Sequence, residues 1–168
     1  VNTDFLLPSI NIVGEPKPDP SLPSHGTSMA DTILRGLAES DLGADSRPVQ
    51  VLPIDVYGDS PTTSTFDIAR GITAAVNAGA PIINLSLGGN GDSALLHSVI
   101  KDSHDAGVLF LGAAGNEPVD TPTYPAAYPE VMAITASDRS GGIASYANYG
   151  DFVDVAAPGA NLVRYNGK

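Results

Sequence analysis

Residues 81–116 read PIINLSLGGNGDSALLHSVIKDSHDAGVLFLGAAGN, and this stretch decides the fold. Pro81 leads into Ile82-Ile83-Asn84-Leu85-Ser86, a short apolar run of the kind that forms a buried parallel strand. Gly88-Gly89-Asn90-Gly91 turns the chain, and Asp92 or Ser93 is placed to cap a helix. Leu95, Leu96, Val99 and Ile100 fall on one face of that helix, and Gly107 stops it. His97, Lys101 and His104 fall on the other face and read as solvent-facing. Val108-Leu109-Phe110-Leu111 is the next buried strand, closing into Gly112-Ala113-Ala114-Gly115-Asn116. A strand, a helix and a second strand in this order make a parallel crossover unit.

The same alternation extends in both directions. Toward the C-terminus, residues 131–135 and 153–156 supply two more apolar runs. Toward the N-terminus, Ile68, Ile72 and Val76 lie four apart on one helix face, ended by Gly79. Before that come a polar loop over 58–65 and a β-branched stretch over 49–57, in which Pro53 is an awkward strand member. A helix is predicted from about Thr27 to Glu39, with Met29, Ile33, Leu34 and Leu37 inward. Residues 1–24 are irregular, apart from a short strand at Ile10-Asn11-Ile12-Val13 ended by Gly14. The fold class expected is α/β: a three-layer, doubly wound, mostly parallel sheet with helices on both faces. In such sheets ligands bind beyond the carboxyl ends of the strands, where Ser86-Leu87-Gly88 and Ala113-Ala114-Gly115-Asn116 lie.

Composition narrows the function. At 168 residues the chain has the length of one domain. Its net charge of −11 argues against nucleic acid or an anionic membrane as partner, since both call for basic patches. No apolar run approaches the roughly 18 residues needed to cross a bilayer. With no cysteine, disulfides, thiol chemistry and cysteine-ligated zinc are all excluded. The acidic loop holding Glu39, Asp41 and Asp45 offers carboxylates to calcium, but without ligand spacing it reads as a solvated turn.

Three candidate sites compete. Gly89-Asn90-Gly91-Asp92-Ser93-Ala94 fits a dinucleotide-binding glycine pattern between strand and helix. Asp92 would then face a pyrophosphate, and the loop has no lysine. The second is Ser28 in Gly26-Thr27-Ser28-Met29-Ala30, which looks like a nucleophile motif but has nothing nearby to orient His25 as its base. The third pairs His25, where a proline-rich loop becomes helix, with Asn116. An imidazole titrating near neutral pH, at roughly 6.5, suits a general base. A side-chain amide following two small residues and a glycine can point at a developing oxyanion. A peptide could lie as an added strand between 86–88 and 113–116.

The motifs resemble those of subtilisin-type serine proteases. HGTSMA at 25–30 resembles the family's histidine motif, INLSLGG its substrate-binding strand and AAGNE its oxyanion segment. YPAAYPEVMAITASD and DVAAPG resemble the stretches that follow, in the family's order, and the match is loosest over 1–20. The resemblance implies His25 as catalytic base and Asn116 as oxyanion-hole side chain. It implies Ser86, Leu87 and Gly88 as one wall of the primary specificity pocket, and Ala113, Ala114 and Gly115 as the other. The resemblance also implies Thr123 at the pocket floor, where the family commonly has a small residue, and Tyr124-Pro125 at a place where the family often has a cis peptide bond. Substrates would be peptides or proteins, no cofactor would be needed for the chemistry, a structural calcium ion is compatible with it, and the location would be extracellular.

Two departures qualify the match. Asp4 is followed by Phe5 and Leu6, so it is not assigned as the catalytic aspartate. The family's order of aspartate, histidine, pocket walls and serine excludes Ser28, which precedes the walls. Residues 1–168 are therefore expected to be part of a peptidase domain, with the aspartate and serine on further segments of the same protease. The competing expectation is a non-catalytic relative whose cleft only binds peptides.

Overall fold

A computed structural model describes residues 5–14, 25–39 and 49–159. These fall into two compact units, 5–67 and 68–159.

In the first unit, β1 (Ile10–Asn11) pairs in parallel with β2 (Ile54–Asp55), Ile10 opposite Ile54. The stretch 49–57 is thus regular only at its centre. Pro53 has no N–H to give, and its carbonyl accepts from Ile10 N at 3.0 Å. The helix α1 (His25–Glu39) begins two residues earlier than expected. Leu34 is its buried residue, flanked at helical spacing by half-buried Ala30 and Leu37. Ile33, expected inward, lies at the edge of that stripe and is exposed.

The helix α2 (Thr65–Asn77) opens on a reciprocal cap: Ser64 Oγ accepts from Asp67 N at 3.0 Å and donates to Asp67 Oδ2 at 2.6 Å. Ile68, Ala69, Ile72 and Ala75 form its buried face.

The second unit holds four parallel strands in sequential order: β3 (Ile82–Leu85), β4 (Leu109–Ala113), β5 (Val131–Ser137) and β6 (Val155–Pro158). The helix α3 (Ala94–Asp105) crosses between β3 and β4. Ser93 caps it, accepting from Leu96 N, and Leu96 and Ile100 are fully buried, as is Phe110 on β4. This is the α/β, parallel-sheet fold the alternation predicts.

The strands are not buried on both sides. Ile83, Leu85, Phe110, Val131 and Ala133 point to a buried face, while Ile82, Leu109, Met132 and Val155 on the opposite face are 56%, 41%, 40% and 42% exposed. Register places Ile82 opposite Leu109, Leu111 opposite Met132 and Ile134 opposite Val155, so the exposed apolar side chains run across all four strands.

His97 also differs from expectation. Its ring lies on Tyr128 and its Nε2 is 2.9 Å from Glu130 Oε2, because α3 runs beside the turn that leads into β5. Lys101 pairs with Asp105 one turn on and stays exposed.

Candidate active site

The segments after β3 and β4 leave the same end of the sheet, as neighbours in a parallel pair must. After β3, Asn84 Nδ2 donates to Ser86 Oγ at 2.8 Å, Ser86 and Leu87 are half-buried, and Gly88 is exposed. Gly89 then exchanges two backbone hydrogen bonds with Tyr124, Gly89 N to Tyr124 O at 2.9 Å and Tyr124 N to Gly89 O at 2.8 Å. That pairing brings the buried Thr123 over Gly88. A Cβ at position 88 would stand 2.9 Å from Thr123 Cγ2, 3.3 Å from the Tyr124 carbonyl oxygen and 3.9 Å from that of Ala113. Thr123, Tyr124 and, more loosely, Ala113 therefore close around Gly88, where a Cβ would press on the Thr123 methyl. The Tyr124–Pro125 bond is cis, as the resemblance implies.

The loop after β4 is built differently. Ala113 is exposed and Ala114 fully buried, its N–H donating to Ile134 O at 2.9 Å. Gly115 has φ +118°, and a Cβ there would lie 2.8 Å from Asn148 Nδ2. Both the backbone conformation and the space require glycine. Asn116 follows with its side chain exposed.

Asn148 is the residue that sequence reasoning missed. It is only 3% exposed. Its N–H donates to Gly115 O at 3.1 Å, and its Oδ1 accepts from Glu117 N at 2.7 Å. Its Nδ2 donates to Thr123 Oγ1 at 3.1 Å, and its carbonyl accepts from Thr135 Oγ1. In the sequence it precedes Tyr149-Gly150-Asp151, where an asparagine reads as an ordinary turn residue.

A family model described as the Subtilase family, Peptidase S8, matches residues 4–168. The chain belongs to the subtilase family. This subtilase is 34% identical over 161 residues to Subtilisin Savinase of Lederbergia lenta, an alignment covering 92% of the chain and 60% of the relative. It is 38% identical over 146 residues to a thermostable alkaline protease of Halalkalibacterium halodurans, covering 82% of the chain and 38% of the relative. Among solved structures, a mutant of the protease domain of PatA superposes with a TM-score of 0.72 at 31% identity, covering 92% of this chain and 58% of that one. The subtilase chain thus spans between 38% and 60% of the length of these two curated relatives.

His25 lies in the first unit as the first residue of α1, and it is exposed. Ser28, half-buried, has its carbonyl bonded by Thr32 Oγ1 at 3.0 Å. Asp4, Asp41 and Asp45 lie outside the described residues. Among the described residues no group of three or more His, Cys, Asp or Glu is gathered to hold a metal ion, and no helix is long and apolar enough to cross a membrane. A cleft of about 570 Å³ in the first unit, lined by Val13, Tyr57, Thr63 and Asp67 among others, involves none of the predicted site residues.

Proposed function

We propose that this chain contributes the general base, the oxyanion donor and the pocket walls of a subtilase serine endopeptidase. The observation that carries the reading is the approach of Thr123 and Ala113 to Gly88 at the ends of the adjacent parallel strands β3 and β4, with the exposed Asn116 three residues after Ala113. An extended peptide lying along 86–88 would add a strand held by main-chain hydrogen bonds, its P1 side chain entering between the two walls.

His25 takes the proton from a serine hydroxyl as its oxygen attacks the peptide carbonyl carbon. Negative charge gathers on the carbonyl oxygen, and the Asn116 amide donates to it there. His25 then passes its proton to the leaving amine, and the C–N bond breaks. Water then attacks the acyl-enzyme as His25 takes one of its protons; the bond between the acyl carbon and the serine oxygen breaks, His25 returns the proton to that oxygen, and the acid is released. The serine and the aspartate that orients His25 come from further segments of the same protease, in line with the share of the relatives that this chain spans.

Substrates in this reading are peptides or proteins, with neither nucleic acid nor membrane as partner. The chemistry uses no cofactor, and a structural calcium ion is compatible with it. An extracellular location is proposed from relatives such as the minor extracellular protease Epr of Bacillus subtilis, 31% identical over 141 residues and covering 82% of this chain and 22% of that one.

The test is peptide hydrolysis by the full-length protein that carries this chain, before and after His25→Ala. Turnover should fall by roughly 10²–10⁴-fold or more, the size of a lost general base. Turnover that survives the change overturns the role of His25. Peptide binding with no cleavage by the unmutated protein would favour the binding-only reading.

A further inference from the structure

Asn148 has no part in the reading above, yet it is the residue through which the oxyanion loop and the pocket floor meet. It grips both sides of Asn116: its N–H holds the carbonyl of Gly115 and its Oδ1 holds the N–H of Glu117. Only an acceptor can face the Glu117 N–H, which fixes the amide orientation and leaves Nδ2 pointing the other way. Nδ2 is then 3.1 Å from Thr123 Oγ1. Holding the Thr123 hydroxyl on that side turns its Cγ2 methyl toward Gly88, against which it makes the 2.9 Å approach to a Cβ position.

Asn148 is itself braced. Its carbonyl accepts from Thr135 on β5, and the next residue, Tyr149, donates its N–H to Val119 O at 3.1 Å. A buried amide with both its groups engaged has little freedom, so whatever it holds is held to the sheet.

We infer that Asn148 is a positioning residue, aiming the Asn116 amide at the oxyanion and fixing the Thr123 methyl at the pocket floor. Subtilase catalysis and P1 selectivity would thereby depend on one side chain that touches no substrate. The inference rests on the oxyanion role proposed for Asn116.

The experiment uses the active protease that contains this chain, with kcat taken per titrated active site so that unfolded molecules do not enter. Asn148→Leu keeps the volume and removes both hydrogen bonds. Asn148→Asp keeps the acceptor for Glu117 N, and its second oxygen can accept from a rotated Thr123 hydroxyl. The leucine variant should lose roughly 10-fold to 100-fold in kcat with little change in KM, the scale of a misplaced catalytic group. The aspartate variant should recover most of that loss. On an Asn116→Ala background, Asn148→Leu should cost less than about 3-fold more, because there is no amide left to aim. A packing role predicts the reverse, with equal damage from leucine and aspartate or additive losses in the double variant, and either result overturns the inference. Should Asn148→Leu not fold, Asn148→Ala is read on the same two comparisons. The Asn116→Ala single variant keeps the two ideas distinct: if it leaves kcat unchanged, the oxyanion reading fails. If it lowers kcat while the Asn148 variants do not, only the positioning role fails.

Discussion

The imidazole of His97 lies flat on the ring of Tyr128, with ring centroids 4.3 Å apart and planes 5° from parallel. The same imidazole reaches the carboxylate of Glu130, and the Tyr128 hydroxyl donates to Asp92 Oδ1 at 3.0 Å and accepts from Ser93 N at 3.0 Å. Both ends of this stack therefore tie α3 to the turn entering β5. His97→Ala should lower stability by about 1 kcal/mol, typical of a stacked aromatic pair. The change should leave kcat alone, since His97 belongs to none of the proposed machinery. Urea unfolding of the protease, with parallel turnover measurements, checks both halves, and an unchanged midpoint would show that the stack is idle.

Tyr128 gives the protein an alkaline limit. Burial pushes its pKa up, against a lowering contribution from the Ser93 backbone, while the Asp92 carboxylate raises it further. The folded form thus keeps the phenol proton at a pH where the unfolded chain, titrating near roughly 10, gives it up. The unfolded state binds fewer protons, so stability is fully present below about pH 10 and falls as pH rises from there toward the folded-state pKa. Tyr128→Phe should flatten this alkaline slope while lowering stability at neutral pH through the lost hydrogen bonds. Thermal melts across the range check it, and a slope that persists in the variant assigns it to another group.

Asn116→Ala should lower kcat by roughly 10²–10³-fold with little change in KM. That magnitude is the one known for a subtilisin, a member of this family. A change confined to KM would place Asn116 in ground-state binding instead.

Thr123→Gly should open the pocket. Thr123 Cγ2 lies 2.9 Å from where a Cβ on Gly88 would stand, and a methyl at the floor of the proposed pocket would shorten it and favour small or medium P1 side chains. Removing it should raise the relative rate of cleavage after Phe and Tyr by several-fold, about the value of a methyl or two in an apolar pocket. A P1 peptide library read with both proteins decides, and an unchanged profile retires Thr123 as the floor.

Residues 1–168 expressed alone should neither label with a serine-directed phosphonate nor melt cooperatively. Ile82, Leu109, Met132 and Val155 expose an apolar row across the sheet, a surface that ordinarily meets a partner. With a folded domain stable by only about 5–15 kcal/mol, an uncovered sheet face is a large deficit. A sharp melt with stoichiometric labelling would overturn this, and labelling at Ser28 would make that residue the nucleophile after all.

The sequence alone determined what is local. Capping by Ser93, the stops at Gly79 and Gly107 with φ of +83° and +97°, and the alternation of strand and helix each depend on neighbours within a turn or two. Such features leave a period or a residue type that can be read. The subtilase motifs were legible for a related reason, since they stand in order along one chain.

Which strand face is covered was not legible, because Ile82 and Ile83 are the same residue type on opposite sides of one strand. Nor were the stack of His97 on Tyr128 and the placement of Asn148. The partners of Asn148 lie 31 and 25 residues back, at Glu117 and Thr123. An asparagine side chain has no period, and its hydrogen bonds go wherever the sheet has carried a matching donor and acceptor. Only the parallel stacking of β4 and β5 delivers those groups to one place.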